Sequence, residues 1–478
     1  MPSRRGEAAS GRPRMAELGP VRWIYDEQPG PGLGPAAAPE ELPWPGEGEP
    51  PGVGGPALTA ARGGEAARSL RRALEAVTHW SRRPLGAEAI RAFPYDAVVG
   101  YYRQVGKAAA APELVALLRG ARARLLCAGP PRAWSSPDAW LLDTWLPLTF
   151  ADQAMAYDSY AGHELLEIAE WEGADPAAAE DVLLATLLAE LAVVESEALL
   201  GAAPAARQRT RTTAVLRALA RLGEFAPRAV ADAGPLAEIR ALRTALAAAP
   251  GDRPPAGAGR DAAAAIRDRA PLPVRRAVDI ALLPVTTLHD EYMFIRCIQL
   301  FERLFTQVAR AQLRAVDAVR LGRVPEAAEA LDGAALRLSH ATGPLYRVLT
   351  TMPPEAFAVI RDYTHGASAI QSQSYRLVEQ CAAPRKEGAY GSEKGPQFTL
   401  VTTLQEEYLE HAGDWDAADA ARLEAVMRRL DTTWQAMKRT HWGVTLKIIG
   451  KASGTGGTTG AEYLKAAADV PLFPLLTA

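Results

Sequence analysis

Apolar residues recur at helical spacing along most of the chain. No stretch of useful length alternates apolar and polar positions as a half-buried strand would. The periods predict helices over 66–80 and 112–126. Asp175-Pro176 predicts the start of another. Asp offers a side-chain acceptor to the first free amides, and Pro suits the first helical position, where no amide donor is required. Val182, Leu183, Leu187, Leu191 and Val194 form its apolar face, and Gly201 marks its end. A break rich in Pro and Gly covers 250–259. Beyond it, aromatic residues, Gln and paired charges occupy long helices from Thr286 to about Ile449. The pattern is that of an all-α protein without a fixed-period repeat.

Composition alters this picture mainly at the amino end. Residues 1–60 are crowded with Pro and Gly, and such a segment buries too little apolar surface to offset its ordering entropy. It is expected to be a disordered or extended arm. At 478 residues the chain is long for one domain. The formal charge is −3, which gives no basic patch for nucleic acid or an anionic membrane. The start lacks the apolar stretch of a secretory signal. The most apolar run, 182–200, is broken by Thr186, Glu190 and Glu195 and is too polar to span a bilayer. Cys127, Cys297 and Cys381 share no metal-ligand spacing and form no obvious disulfide set. A reducing cytoplasm fits best.

Seven histidines bound the metal chemistry: His79, His163, His289, His340, His365, His411 and His441. His163-Glu164 is followed by Glu167, so the second His of a zinc-protease motif is missing. None of the seven has the Glu three residues earlier that a helical di-iron site uses. The loop 454–460, GTGGTTG, lacks the Lys-Ser/Thr of a phosphate-binding loop and follows a helix rather than a strand. It reads as a helix stop and turn, or as a backbone that lets a ligand approach and offers it hydroxyls. His441 lies on the preceding helix, with Met437, Thr445 and Ile448 on the same face. By itself that pattern suits a satisfied core His better than a ligand.

The stretch 438–476, KRTHWGVTLKIIGKASGTGGTTGAEYLKAAADVPLFPLL, resembles the end of the bacterial tryptophan 2,3-dioxygenase family. That family has a His, nine residues later a Gly, then a GTGG[ST][ST]G loop, a Tyr-Leu pair and a closing Phe-Pro. The resemblance implies that His441 is the proximal ligand of haem iron and that Thr455 contacts the substrate ammonium. Residues 368–379, SAIQSQSYRLVE, are similar to the family's SGFQSxQ[YF]RxxE, which implies Arg376 as the clamp for the substrate carboxylate. Arg suits it, because its planar fork makes two parallel bonds to a carboxylate. Residues 289–302, HDEYMFIRCIQLFE, lie without gaps on the family helix that begins HQxxELW. His289 then takes the distal, catalytic position, with Thr287 as a helix N-cap. Val285 stands where the family has a Phe packed on the indole, and Met293 where it has Glu. Residues 157–165, YDSYAGHEL, resemble the family's YGxYLxLxxL, whose two Tyr reach a neighbouring subunit's active site. Tyr157 and Tyr160 match them.

The resemblance covers 286–478 well and 150–170 faintly. It implies three parts: the 1–60 arm, a helical extension at 61–150, and a haem core at 151–478 with an insertion at about 172–284. It further implies haem b as cofactor, O2 as co-substrate, a tryptophan-like amino acid as substrate and a homo-oligomer. Cleavage of the indole C2–C3 bond to N-formylkynurenine is the leading expectation. The altered Val285 and Ala369-Ile370 leave open another oxidation of a tryptophan-like substrate, such as insertion of one oxygen in natural-product biosynthesis. A haem-binding sensor or scaffold without turnover is a further alternative.

Overall fold

The computed structural model of the protein describes residues 21–22, 56–127, 136–150, 157–171, 175–201, 206–249, 253–364, 372–384, 399–400, 402–450 and 460–476. The fold is all-α. Among these residues the only extended pairing is β1 (Val21–Arg22) against β2 (Thr399–Leu400), antiparallel, with Val21 opposite Leu400. Most of the 1–60 arm lies outside the described residues.

The first helices are α1 (Pro56–Ser81), α2 (Ala87–Arg91), α3 (Tyr95–Val105), α4 (Pro112–Cys127) and α5 (Pro137–Leu148). The expected helices 66–80 and 112–126 fall inside α1 and α4. Trp80, Phe93, Tyr95 and Trp145 pack ring against ring, with Trp80 and Phe93 edge to face at 4.9 Å, an arrangement that adds to simple apolar burial. This group is stitched to the segment before the central helix of the fold. The amides of Lys107 and Ala108 donate to the carbonyls of Pro284 and Val285. Gly106 makes the approach possible: its φ is +77°, and a Cβ there would sit 2.5 Å from the Val285 carbonyl oxygen.

Next come α6 (Tyr157–Ala161), a 3-10 helix His163–Trp171, α7 (Pro176–Leu200), α8 (Ala206–Ala220), α9 (Leu222–Phe225), α10 (Ala233–Ala248), α11 (Ala256–Asp268) and α12 (Leu272–Ile280). Helix α7 starts as expected: Asp175 Oδ1 accepts from the Ala177 amide at 2.9 Å, and Pro176 is the first helical residue. Its burial departs from expectation. Instead of one apolar face, α7 is covered on several sides by α8, α11, α12 and the central helix; Leu184 and Leu188 are buried, while Val182 and Val194 are only half-buried. Buried acids permit this because arginines meet them. Glu180 pairs with Arg303 and Arg310, Asp181 with Arg337, and Glu190 with Arg296.

The last group holds three long helices, α13 (His289–Arg320), α14 (Val324–Leu349) and α18 (Ala417–Ile449), with α15 (Pro354–Thr364), α16 (Gln373–Ala382), α17 (Leu404–His411) and α19 (Ala461–Ala468) between or after them. Helix α14 packs on both α13 and α18; α16 lies on α13, and α19 on α18. The N-cap of α13 is Leu288, not Thr287. The Glu291 carboxylate takes the amides of Val285 and Thr286 and the Thr286 hydroxyl, so that side chain organises the helix entry instead. Cys127 is exposed and Cys297 and Cys381 are buried, all three as thiols. Among the described residues no helix is long and apolar enough to cross a membrane.

Candidate functional site

Helices α13, α14, α15, α16, α18 and α19 enclose a cavity of about 250 Å3, and α6 closes its wall. Helix α18 contributes His441 together with Met437, Val444, Thr445 and Ile448, residues three or four apart that share one helix face. Helix α13 contributes Phe294, Ile298, Phe301, Glu302 and Phe305 by the same spacing. The wall is therefore mostly apolar and aromatic.

His441 stacks on Tyr346, with 5.8 Å between ring centroids and 18° between planes. Burial lowers its pKa to about 4, because the charged imidazolium is poorly solvated there. The ring is thus neutral at physiological pH and keeps a nitrogen lone pair. Neither ring nitrogen has a hydrogen-bond partner among the described residues. That state is the one an iron ligand requires.

The polar groups of the cavity lie along α16 and opposite it. Ser372 caps α16 by accepting from the Tyr375 amide at 3.1 Å, and its hydroxyl donates to Glu302 Oε2 at 3.0 Å. Ser374 donates to the same oxygen, and the Tyr157 hydroxyl donates to Glu302 Oε1 at 2.6 Å. Arg376, one turn after Ser372, lines the cavity. Tyr463 lines the same cavity; burial raises its pKa, and the positive charge of Arg376 opposes that rise. Glu379 Oε1 accepts from the Tyr375 hydroxyl at 3.1 Å and faces Lys438 Nζ at 3.5 Å. Lys438 also donates to the Val470 carbonyl at 2.7 Å, which ties the carboxyl end of the chain to α18.

Of the residues singled out from the sequence, His441, Arg376, Tyr157 and Tyr160 meet at this cavity. Both tyrosines line the cavity of their own chain. The Tyr160 hydroxyl has a pKa well above its ordinary value, through burial first and the nearby Glu291 carboxylate second. His289 and Val285 are not among the lining residues. His289 Nε2 instead faces Glu195 Oε2, and Val285 is buried with its backbone bonded to Glu291 and Ala108. Thr455, Ala369 and Ile370 lie outside the described residues; Ile449 and Gly460, which flank the segment of Thr455, both line the cavity. Sequence reasoning did not single out Tyr346, or Glu302 as a collector of hydroxyls. The recurrence of 294, 298, 301, 302 and 305 along α13 was the available signal for Glu302.

Among the described residues no three His, Cys, Asp or Glu side chains converge as metal ligands. One neutral His facing an apolar, aromatic space suits an iron whose other ligands come from a macrocycle. The donor set fits haem.

The tryptophan 2,3-dioxygenase of Burkholderia cenocepacia is 30% identical to this chain over 240 residues, which span 40% of this chain and 76% of that protein. The chain belongs to the tryptophan 2,3-dioxygenase family. The enzymes of that name from Burkholderia orbicola and a Polaromonas species are 28% and 26% identical, each over 238 residues, with 76% and 79% of their lengths covered. No protein-family model matches the chain. Most of this family member's length lies outside the aligned span.

Proposed function

We propose that the protein is a haem-dependent oxygenase that cleaves the indole C2–C3 bond of L-tryptophan or a tryptophan derivative with O2 to give an N-formylkynurenine product. The observation that carries this reading is His441, a neutral imidazole without a hydrogen-bond partner among the described residues, facing an aromatic cavity that also holds Arg376. Haem b held by His441 would supply the reduced iron at which O2 reacts. The chain's own residues supply position. Arg376 pairs with the amino acid's carboxylate through its two-pronged guanidinium, and the Thr455 hydroxyl meets the ammonium. Phe294, Ile298, Phe301 and Phe305 give the indole an apolar wall and exclude water. Tyr157, its hydroxyl committed to Glu302, and Tyr160 close the far wall. Holding the reactants together in this way removes much of the entropic barrier. With His289 turned to Glu195, no proton step is assigned to it.

A second reading is a different oxidation of a tryptophan-like substrate, such as insertion of a single oxygen. It is favoured by one observation: among the described residues, the cavity lining offers no imidazole besides His441. Reduced, haem-loaded protein given L-tryptophan and O2 separates the two. A mass gain of two oxygen atoms with N-formylkynurenine absorbance supports ring cleavage. A gain of one oxygen supports the second reading. No product from tryptophan or substituted tryptophans, with an intact haem spectrum, overturns both.

A further inference from the structure

We infer that a cleft between α1, α3, α11 and α12 binds a small phosphate ester, at a second site separate from the His441 cavity. The inference goes beyond the oxygenase reading, and no step of that reading depends on it.

The cleft has a volume of about 500 Å3 and shares no lining residue with the cavity around His441. Four arginines line it, Arg72, Arg267, Arg275 and Arg276, against two acids, Asp96 and Asp279. The arginines come from three helices: Arg72 from α1, Arg267 from α11, and Arg275 and Arg276 from α12. Two of them are committed. Arg267 donates to both carboxylate oxygens of Asp279, at 2.6 and 2.8 Å. Arg276 donates at 2.9 Å to Asp138, which also accepts from Arg91. The other two are not committed. Arg72 is exposed and has no hydrogen bond or ion pair among the described residues. Arg275 has only a loose approach, at 3.5 Å, to Asp268, which is itself largely exposed. Asp96, exposed on α3, offsets one charge at most, so the wall stays positive.

The backbone adds to this. The first turn of α3 lines the cleft through Pro94, Tyr95, Asp96 and Ala97, and α12 reaches it with its first residue, Leu272. Both helices have a Pro at the N-cap, Pro94 and Pro271, and no side chain caps either start. Uncapped helix starts present amide donors and partial positive charge, which anions satisfy. A further observation points the same way. The Tyr95 hydroxyl, on a side chain only 5% exposed, is enclosed without a hydrogen-bond partner among the described residues, as are Nε of Arg267 and of Arg275. Unmet enclosed donors are rare and costly, and these three belong to one cleft wall. The oxygens of an anion are acceptors only, so they suit a wall made of donors.

The shape selects among anions. Two uncommitted guanidinium groups and two helix starts call for a double charge, which a phosphate monoester approaches near neutral pH. Arginine forks match its oxygens in pairs. The cleft is larger than a bare phosphate needs and lies in the size range of pockets for small organic ligands. Phe93, Leu272 and Ile280 give the organic part an apolar footing.

The test is calorimetric titration of the full-length, haem-loaded protein with adenosine monophosphate, phenyl phosphate, inorganic phosphate and adenosine. At least one of the two esters should bind saturably and more tightly than inorganic phosphate. Adenosine should bind at least about 10-fold more weakly than its phosphate, and added salt should weaken the esters. Arg72→Ala and Arg275→Ala should each weaken the bound ester roughly 10-fold or more, the range of one charge-assisted contact. Arg72 is exposed, so its replacement should leave the helical circular dichroism unchanged. Two controls should leave ester binding as it is: Arg217→Ala, an exposed arginine of α8 outside the cleft, and Arg376→Ala in the other cavity. Failure of both esters to bind overturns the assignment, as does binding no tighter than that of inorganic phosphate. Unaltered affinity in either cleft variant overturns it too, and loss of binding in Arg376→Ala places the anion in the His441 cavity instead.

Discussion

The imidazole of His289 and the carboxylate of Glu195 face each other, with Nε2 3.1 Å from Oε2. This pairing turns the first residue of α13 towards α7 and away from the cavity. Helical phase gives the reason. Ile298 points into the cavity, and His289 precedes it by about two and a half turns, which places it on the opposite face. A gapless match of sequence motifs aligns positions along a helix, but the face each residue presents depends on how the helix is docked.

Replacement of His289 by Ala should therefore leave haem content and turnover close to wild type. Stability should fall by about 1 kcal/mol or less, the range of a single partly exposed polar contact. Steady-state kinetics decide the matter: a large drop in kcat with haem still bound would return His289 to the reaction.

His441→Ala should abolish stoichiometric haem binding, followed as the Soret band on titration with haemin. Loss of the stack on Tyr346 should cost about 1–2 kcal/mol of stability, with the helical circular dichroism retained. Normal haem loading in this variant would remove the ligand assignment.

For Arg376→Ala the expected change is in KM. It should rise roughly 10- to 100-fold for an α-amino acid, because a charge-assisted pair is lost, while haem content stays the same. An unchanged KM would place the carboxylate clamp elsewhere.

Glu180→Gln should destabilise the protein by about 3 kcal/mol, since Arg303 and Arg310 lose their buried counter-charge. Burial opposes ionisation of Glu180, but those two arginines outweigh it and hold the pKa below its ordinary 4.5. A depressed folded value means stability that is complete above the unfolded pKa and is lost as pH falls through the folded one. In urea melts, the gap between wild type and variant should be full at neutral pH and close progressively below about 4.5. A gap independent of pH would show that the charge of Glu180 is not what stabilises.

Much of the site was legible along single helices. The face Met437, His441, Thr445 and Ile448 follows from spacing alone, and its four residues meet at the cavity. The capped start of α7 followed from Asp175-Pro176. Relationships between distant helices were not legible. The bond from Tyr157 to Glu302 joins residues 145 positions apart, and no local pattern announces it. The burial of α7 was hidden for a related reason: the arginines of α13 and α14 that allow its acids to be enclosed lie more than a hundred positions away. Thr287 is not the N-cap: the helix starts one residue further on, after Leu288, and Glu291 ties down the amides of Val285 and Thr286 just before it.

The acids of α7 have one more consequence. Arg296 and Arg303 are both fully enclosed, and the carboxylates that balance them come from α7. Removing one of those carboxylates while the helices stay packed, as in Glu190→Gln, leaves a guanidinium ion enclosed without its counter-charge, at a penalty of about 3–5 kcal/mol. The docking of α7 on α13 is thus set by charge as well as by apolar cover, since each helix brings the ions that let the other's be buried.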